Sequence, residues 1–177
     1  PLGVTEISEK LGLYKSNVHN ILMTFTALGY LTQDDETGKF HLGVSVMTLS
    51  RAFREGLDIT RVAVPFMREI ANEAGELVYL TVPREDSVVY LEGISPDNQR
   101  MVSKSVAGEC GKMYCTSVGK AMLANMPKEE VERYLSGELE AFTENTITDK
   151  NKLLEEIEKT RIRGYGIDDM EITFGIK

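Results

Sequence analysis

The sequence predicts an α+β protein that begins with a winged helix-turn-helix and continues into a second domain of strands and flanking helices. Two observations support this fold class. Between residues 4 and 43, two helical patterns meet at a glycine and are followed by a hairpin pattern. Beyond about residue 57, strand and helix patterns alternate in a mixed order, which favours an antiparallel or mixed sheet. We assign residues 1–43 to the winged domain, 44–57 to a connector helix and 58–177 to the second domain.

Length and composition fit two small globular domains. The chain has 177 residues, of which 42% are hydrophobic, enough for each domain to bury a core. No apolar run approaches the roughly 18 residues needed to span a bilayer, and no signal peptide is visible. Cys110 and Cys115 are too few for a disulfide framework. We therefore expect a cytoplasmic protein with no membrane partner. Because the first residue is Pro1 and not Met, we also expect a fragment.

The charge distribution argues against a simple nucleic-acid binder. The net charge is −8. Residues 1–56 carry five basic and six acidic residues, a net of −1, and residues 57–177 carry fifteen and twenty-two, a net of −7. A DNA-binding domain is usually basic. One copy should bind DNA weakly, and a dimer that reads two half-sites would compensate. A winged-helix module that binds a protein instead of DNA therefore remains an alternative interpretation.

Two helices are predicted in the first domain. In the first, Val4, Ile7 and Leu11 form one apolar stripe, and Gly12 ends it as a left-handed residue would. The second starts near residues 14–16. Its apolar residues recur on one face and are Val18, Ile21, Leu22, Phe25 and Leu28.

The opposite face of the second helix is polar in its first turns. The candidate DNA-contacting residues there are Lys15, Ser16, Asn17, His19 and Asn20. An asparagine can pair bidentately with adenine, a contact that discriminates between bases by roughly 1–3 kcal/mol. A polar helix face can also simply face solvent. The turn before the helix and the hairpin after it favour placing this face in a DNA major groove.

The hairpin predicts a wing, with strands at residues 30–32 and 39–42 and a turn at Thr37 and Gly38. Lys39 is a candidate phosphate contact, whereas the acidic residues 34–36 at the tip would be repelled by DNA. The connector that follows has Val46, Leu49 and Phe53 on one edge. That edge serves either packing on the winged domain or dimerisation, and both readings stay open.

The second domain starts with a helix over residues 59–74, which contains Pro65 and ends at Gly75. Strands are predicted at 77–82, 87–94 and 101–106, and helices at 116–125, from Pro127 onward, and before Gly164. Residues 165–172 are predicted as a strand. The main-chain N–H groups at the start of the helix near residue 116 would form an anion site.

Catalytic and metal chemistry find little support in the sequence. Gly119 and Lys120 lack the phosphate-loop spacing. No four-ligand zinc set can be assembled, although a metal shared with carboxylates stays open. A cysteine or serine nucleophile would have no histidine base, because no His follows His41. We therefore predict no metal, no cofactor and no enzyme, with an enzyme built on the second domain as an alternative.

Three segments of the sequence resemble IclR-type transcriptional regulators. Residues 6–22 read EISEKLGLYKSNVHNIL, which resembles the family's helix-turn-helix pattern E-I-A-x-x-L-G-L-x-K-S-T-V-H-R-L-L, and residues 40–43 resemble its wing end Y-x-L-G. Residues 108–121, GECGKMYCTSVGKA, resemble G-x-x-x-P-L-H-x-T-A-x-G-K-A. Residues 163–171, RGYGIDDME, with the later Gly-Ile pair resemble R-G-Y-x-x-D-x-E-E-x-x-x-G-I. The departures are Asn17 for Thr, Asn20 for Arg, Lys112 for Pro and Met170 for Glu.

The resemblance implies a DNA-binding regulator whose second domain is a GAF-like sensor of a small effector, expected to be a carboxylate. The partners implied are a double-stranded DNA operator, the effector and a second copy, in a homodimer or homotetramer. Carried over from the family, the effector-lining positions are Ser103, Gly111, Ser117, Val118 and Asp168. From the residues alone, the favoured interpretation is that Ser117 is a helix cap and Asp168 a turn residue. The family also leads us to expect a further helix before Pro1 and two more strands and a long helix after Lys177.

Overall fold

The computed structural model describes residues 1–56, 58–98 and 106–175. The chain divides into two compact units, Pro1–Asp58 and Ile59–Lys177. Each unit has an antiparallel sheet and helices, as the sequence predicts.

The first unit folds as helix, turn, helix, hairpin, helix. Its elements are α1 (Val4–Leu11), α2 (Lys15–Ala27), β1 (Leu31–Gln33), β2 (Phe40–Leu42) and α3 (Ser45–Glu55). Gly12 ends α1 with a φ of 63°, a left-handed conformation that glycine adopts without strain. The strands β1 and β2 pair antiparallel, with Leu31 opposite Leu42.

The core of the first unit is narrower than the helical stripe of α2 suggests. Val18, Leu22 and Phe40 are buried together. Ile21 and Phe25, predicted to face inward, are 47% and 43% exposed. They line an apolar groove of about 530 Å³ together with residues of α1, the hairpin and α3. The apolar face of α2 is therefore only partly covered within this unit.

The second unit contains one sheet and four helices in its described residues. Helix α4 (Asp58–Ala74) holds Pro65 inside it and precedes β3 (Val78–Arg84) and β4 (Ser87–Ile94). Then follow β5 (Cys110–Lys112), α5 (Ser117–Asn125), α6 (Lys128–Leu135) and α7 (Lys150–Arg163). The strand order is β3-β4-β5, antiparallel throughout. The main core forms where the sheet and the helices α5, α6 and α7 meet, around Val88, Met113, Cys115, Leu123 and Leu153.

The prediction of a strand at residues 165–172 is wrong. The described segment consists of bends and irregular backbone. Its carbonyl groups accept hydrogen bonds from side chains of a preceding loop: Thr143 Oγ1 donates to Met170 O at 2.7 Å, and Thr146 Oγ1 donates to Glu171 O at 2.6 Å. These side chains satisfy main-chain groups that a neighbouring strand would otherwise satisfy. Most of the strand predicted at 101–106 lies outside the described residues.

Candidate nucleic-acid interface and effector site

The polar face of α2 is open. Val18 and Leu22 are buried on one side of the helix. All five candidate DNA-contacting residues are exposed: Lys15, Ser16, Asn17, His19 and Asn20. In the described part of the chain, none of these five side chains forms a hydrogen bond or an ion pair. Their donors and acceptors are therefore available to a molecule outside the protein.

The start of α2 suits a phosphate group. Tyr14 occupies the N-cap position without a side-chain cap, and the first turn contains no acidic residue. The leading N–H groups of a helix carry a partial positive charge and lack intrahelical partners. The ammonium of Lys15 lies at the same end, so this turn combines charge and donors suited to a phosphate, and the exposed Asn20 lies further along the helix.

Lys39 forms an ion pair with Glu6, which the sequence analysis did not predict. Its Nζ lies 3.5 Å from Oε2 of Glu6 on α1. The same Glu6 oxygen accepts a hydrogen bond from Gly3 N at 2.8 Å. The main-chain donor at Gly3, followed by the ammonium of Lys39, lowers the pKa of Glu6. Lys39 thus offers a phosphate only the part of its charge that Glu6 leaves unpaired.

The tip of the wing is acidic, and the side chain of Asp34 holds it in a turn. Asp34 Oδ1 accepts hydrogen bonds from Thr37 Oγ1 and N, both at 2.7 Å, and from Glu36 N at 3.2 Å. These donors, first the Thr37 hydroxyl, lower the pKa of Asp34. The carboxylate is therefore held in a turn and keeps negative charge at the tip of the wing.

In the second unit, the structure brings four of the five proposed effector-lining residues into one neighbourhood. Gly111 lies in β5, where an added Cβ would be 3.0 Å from a methyl group of Thr116 and 3.6 Å from the Tyr90 ring. Ser117 and Val118 form the first turn of α5, next to that threonine. Ser103 lies outside the described residues.

Asp168 approaches the same place from the segment after α7. Burial, then Tyr79 and then the negative charge of Asp168 raise the pKa of Tyr90. Gly166, two residues before Asp168, lies so close to α5 that an added Cβ would be 2.0 Å from the carbonyl oxygen of Ser117. Tyr90 was not predicted as a site residue. Its ring makes an edge contact with the ring of Tyr79, with the centroids 5.3 Å apart, and places an aromatic side chain next to Gly111.

Helix α5 begins with main-chain N–H groups that have no acceptor among the described residues. Thr116 caps the helix, its Oγ1 accepting from Gly119 N at 3.1 Å. Among the described residues, no group accepts a hydrogen bond from the N–H of Ser117 or Val118. Such a pair of N–H groups at a helix start can bind a carboxylate. Asp168 Oδ1, in contrast, already accepts a hydrogen bond from Glu171 N at 2.8 Å, so this residue also shapes its own loop.

Cys115 lies buried below this site. Burial, followed by the charge of Asp168, raises the pKa of its thiol to about 12. A neutral, buried thiol is inert, which identifies Cys115 as a packing residue. Within the described residues, no group of three or more His, Cys, Asp and Glu side chains is arranged to hold a metal ion. No helix in that part of the chain is both long and apolar enough to cross a membrane.

Comparison with known proteins places both units in one family. Residues 1–35 match the IclR helix-turn-helix domain, and residues 52–177 match the C-terminal domain of bacterial transcriptional regulators of the IclR type. The regulator KdgR of Escherichia coli is 35% identical over 99% of this chain and 67% of its own length. The crystal structure of the Thermotoga maritima IclR is 28% identical, with a TM-score of 0.69 over 98% of this chain and 70% of its own.

A third relative shows the same fold with a ligand. It is an IclR homologue from Microbacterium hydrocarbonoxydans, complexed with 4-hydroxybenzoate, at 22% identity and a TM-score of 0.69 over 97% of this chain and 70% of its own. A winged helix-turn-helix joined to an effector-binding domain defines a class of DNA-binding regulators. The chain belongs to the IclR family of bacterial transcriptional regulators.

Proposed function

We propose that this chain is the DNA-reading and effector-sensing part of a ligand-responsive transcriptional regulator. The observation that carries the proposal is the face of α2, where five polar side chains are exposed and unpartnered within the described residues. Lys15 contacts phosphate, Ser16 and Asn20 face the floor of the major groove, and Asn17 and His19 lie at its sides. Lys39 contributes weakly from the wing. Such a protein works in the cytoplasm, where bacterial DNA lies.

DNA binding is tested with fragments selected by the protein from a random pool of duplexes. We expect Lys15→Glu to reduce affinity at least tenfold, because it places a carboxylate against a phosphate. Lys128→Glu on α6 is the matched control, because it changes the net charge equally on a residue of the other unit. Equal affinities for the two variants would contradict DNA docking through α2 and favour a protein-binding module.

The proposed effector is a small carboxylate bound between the start of α5 and Asp168. Support comes from the N–H groups of Ser117 and Val118, which have no acceptor among the described residues, and from the aromatic ring of Tyr90 next to Gly111. The relative with bound 4-hydroxybenzoate carries a carboxylate ligand on the same fold. Ser103 joins this set on family resemblance alone. Binding alters DNA affinity if the ligand prefers one of two conformations of the protein.

Effector binding is tested by melting the protein with acetate, lactate, pyruvate, benzoate and 4-hydroxybenzoate. A ligand present at 100 times its dissociation constant stabilises the folded state by roughly 2.7 kcal/mol. Ser117→Pro removes one N–H group at the first helical position, where proline fits the helix, and should weaken binding without unfolding the protein. If no carboxylate in the series raises the melting temperature, the effector class is wrong.

We also propose a homodimer as the minimum assembly. Helix α3 exposes large apolar side chains, including Met47 at 70% and Phe53 at 59%, and a net charge of −1 leaves one winged domain a weak DNA ligand. Two copies reading two half-sites would overcome this weakness. Sedimentation equilibrium of the wild type and of Met47→Glu measures the mass of the assembly. The dimer should dissociate in the variant, and an unchanged mass would assign α3 to packing alone.

A further inference from the structure

A buried ion pair joins α5 to the segment 165–172. Lys120 Nζ donates to Glu171 Oε1 and to the main-chain oxygen of Ile167, the latter at 2.8 Å. Only 1% of the Lys120 side chain and 4% of the Glu171 side chain are exposed. Lysine and glutamate are almost never buried to this extent unless they are paired.

The pair lies between two parts of the proposed effector site. Lys120 follows Ser117 by three positions on α5, and Ile167 immediately precedes Asp168. Asp168 Oδ1 in turn accepts from Glu171 N at 2.8 Å, so the ion pair and the carboxylate of Asp168 belong to one hydrogen-bonded loop. The distance between the first turn of α5 and Asp168 therefore depends on where the ammonium holds this loop.

Stability does not account for the choice of these residues. Replacing a buried ion pair with apolar residues of similar volume is often neutral or stabilising. The second carboxylate oxygen, Glu171 Oε2, is buried and has no hydrogen-bond partner among the described residues, which is a further cost. A lysine ammonium, however, has three donors and can bind a carboxylate and a main-chain carbonyl at once. An apolar pair could not hold the Ile167 carbonyl.

We infer that Lys120 and Glu171 are positioning residues for the effector, which fix the loop carrying Asp168 at a set distance from the N–H groups of Ser117 and Val118. The inference rests on the proposed function in placing the effector between these groups. Neither residue touches the ligand in this arrangement. Their effect on binding passes through the geometry of the loop.

The test is the double variant Lys120→Met, Glu171→Leu in the full chain. The matched control makes the same two changes at Lys128 and Glu132, an exposed pair on α6 at 3.8 Å with 81% and 58% of the side chains exposed. We measure the melting temperature, amide hydrogen exchange in peptides covering 165–172, and affinity for the carboxylate that most stabilises the wild type in the melting series.

The double variant at 120 and 171 should melt within a few degrees of the wild type, because both charges leave together. Its 165–172 peptides should exchange at least about tenfold faster while α7 keeps its protection, and the carboxylate affinity should fall at least about tenfold. The control variant should change neither the exchange of these peptides nor the carboxylate affinity. A folded double variant with wild-type exchange and affinity overturns the inference. If no carboxylate binds the wild type, the effector class fails while the exchange result still decides the positioning role.

A second comparison covers the case in which the double variant does not fold. Glu171→Gln keeps the side-chain shape and an oxygen acceptor for Lys120, whereas Glu171→Asp keeps the charge but shortens the side chain by one methylene. A positioning role predicts exchange and affinity within about threefold of the wild type for the glutamine variant, and at least tenfold changes for the aspartate variant, whose shorter side chain displaces the loop. Equal behaviour of the two overturns the inference.

Discussion

Removing one partner of the ion pair between α5 and the segment 165–172 should be far more damaging than removing both. Lys120→Met leaves the buried Glu171 carboxylate and the Ile167 carbonyl without the donor that binds both. The other carboxylate oxygen is already without a partner among the described residues. Breaking a buried ion pair in this way costs roughly 3–5 kcal/mol, and most point substitutions cost far less.

Differential scanning calorimetry measures this prediction. A loss of that size lowers the melting temperature of a domain of this length by roughly 10–20 °C. Since the chain has two compact units, only the transition that contains α5 should move. Glu171→Leu added to Lys120→Met should recover most of the loss. A single variant that melts within about 3 °C of the wild type would show that the buried pair is not formed.

Three further predictions concern other contacts. Glu6→Gln should release Lys39 for a phosphate, so that DNA affinity rises and the plot of log affinity against log salt steepens by about 0.9 per copy; an unchanged slope would mean that Lys39 does not reach DNA. The pKa of the Cys115 thiol rises to about 12 on folding from about 9 when exposed, so the stability it contributes is complete below about pH 9 and is lost as pH rises towards 12. Melting temperatures from pH 8 to 11 should fall, and less so in Cys115→Ala. Gly166→Ala places a methyl group 2.0 Å from the Ser117 oxygen and should cost about 1–3 kcal/mol in thermal unfolding and weaken carboxylate binding; wild-type values for both would deny the close approach.

Local signals in the sequence were sufficient for most elements of the fold. Gly12 and Gly164 end α1 and α7 with φ values of 63° and 86°, because a glycine after a helical stripe adopts the left-handed conformation more easily than any other residue. The wing and the strand pair β3–β4 follow from alternation and turn residues in the same way. The register break between Leu80 and Thr81 carries no local signature and was not predicted.

The errors arise where distant residues satisfy the backbone. The segment 165–172 holds three residues typical of strands, Tyr165, Ile167 and Ile172. Side chains more than twenty positions earlier, Thr143 and Thr146, nevertheless bind its carbonyl groups. Lys120 and Glu171 are 51 positions apart, and Glu6 and Lys39 are 33 apart, so neither pair shows in a local pattern. One signal was present: Lys120 shares its helix face with the buried Leu123 and Ala124, and a charged residue on an apolar face indicates a buried partner.

The most direct test of the account is the base preference of two variants of α2, measured by selection from random duplexes at one salt concentration. If the polar face lies in the major groove, Asn20→Ala should relax preference at one base-pair position per half-site, at a cost of about 1–3 kcal/mol for the preferred base. Lys15→Ala should weaken all sequences alike and lower the salt slope by about 1. Wild-type preference and affinity in both variants would contradict the assignment of α2 as the DNA-reading helix.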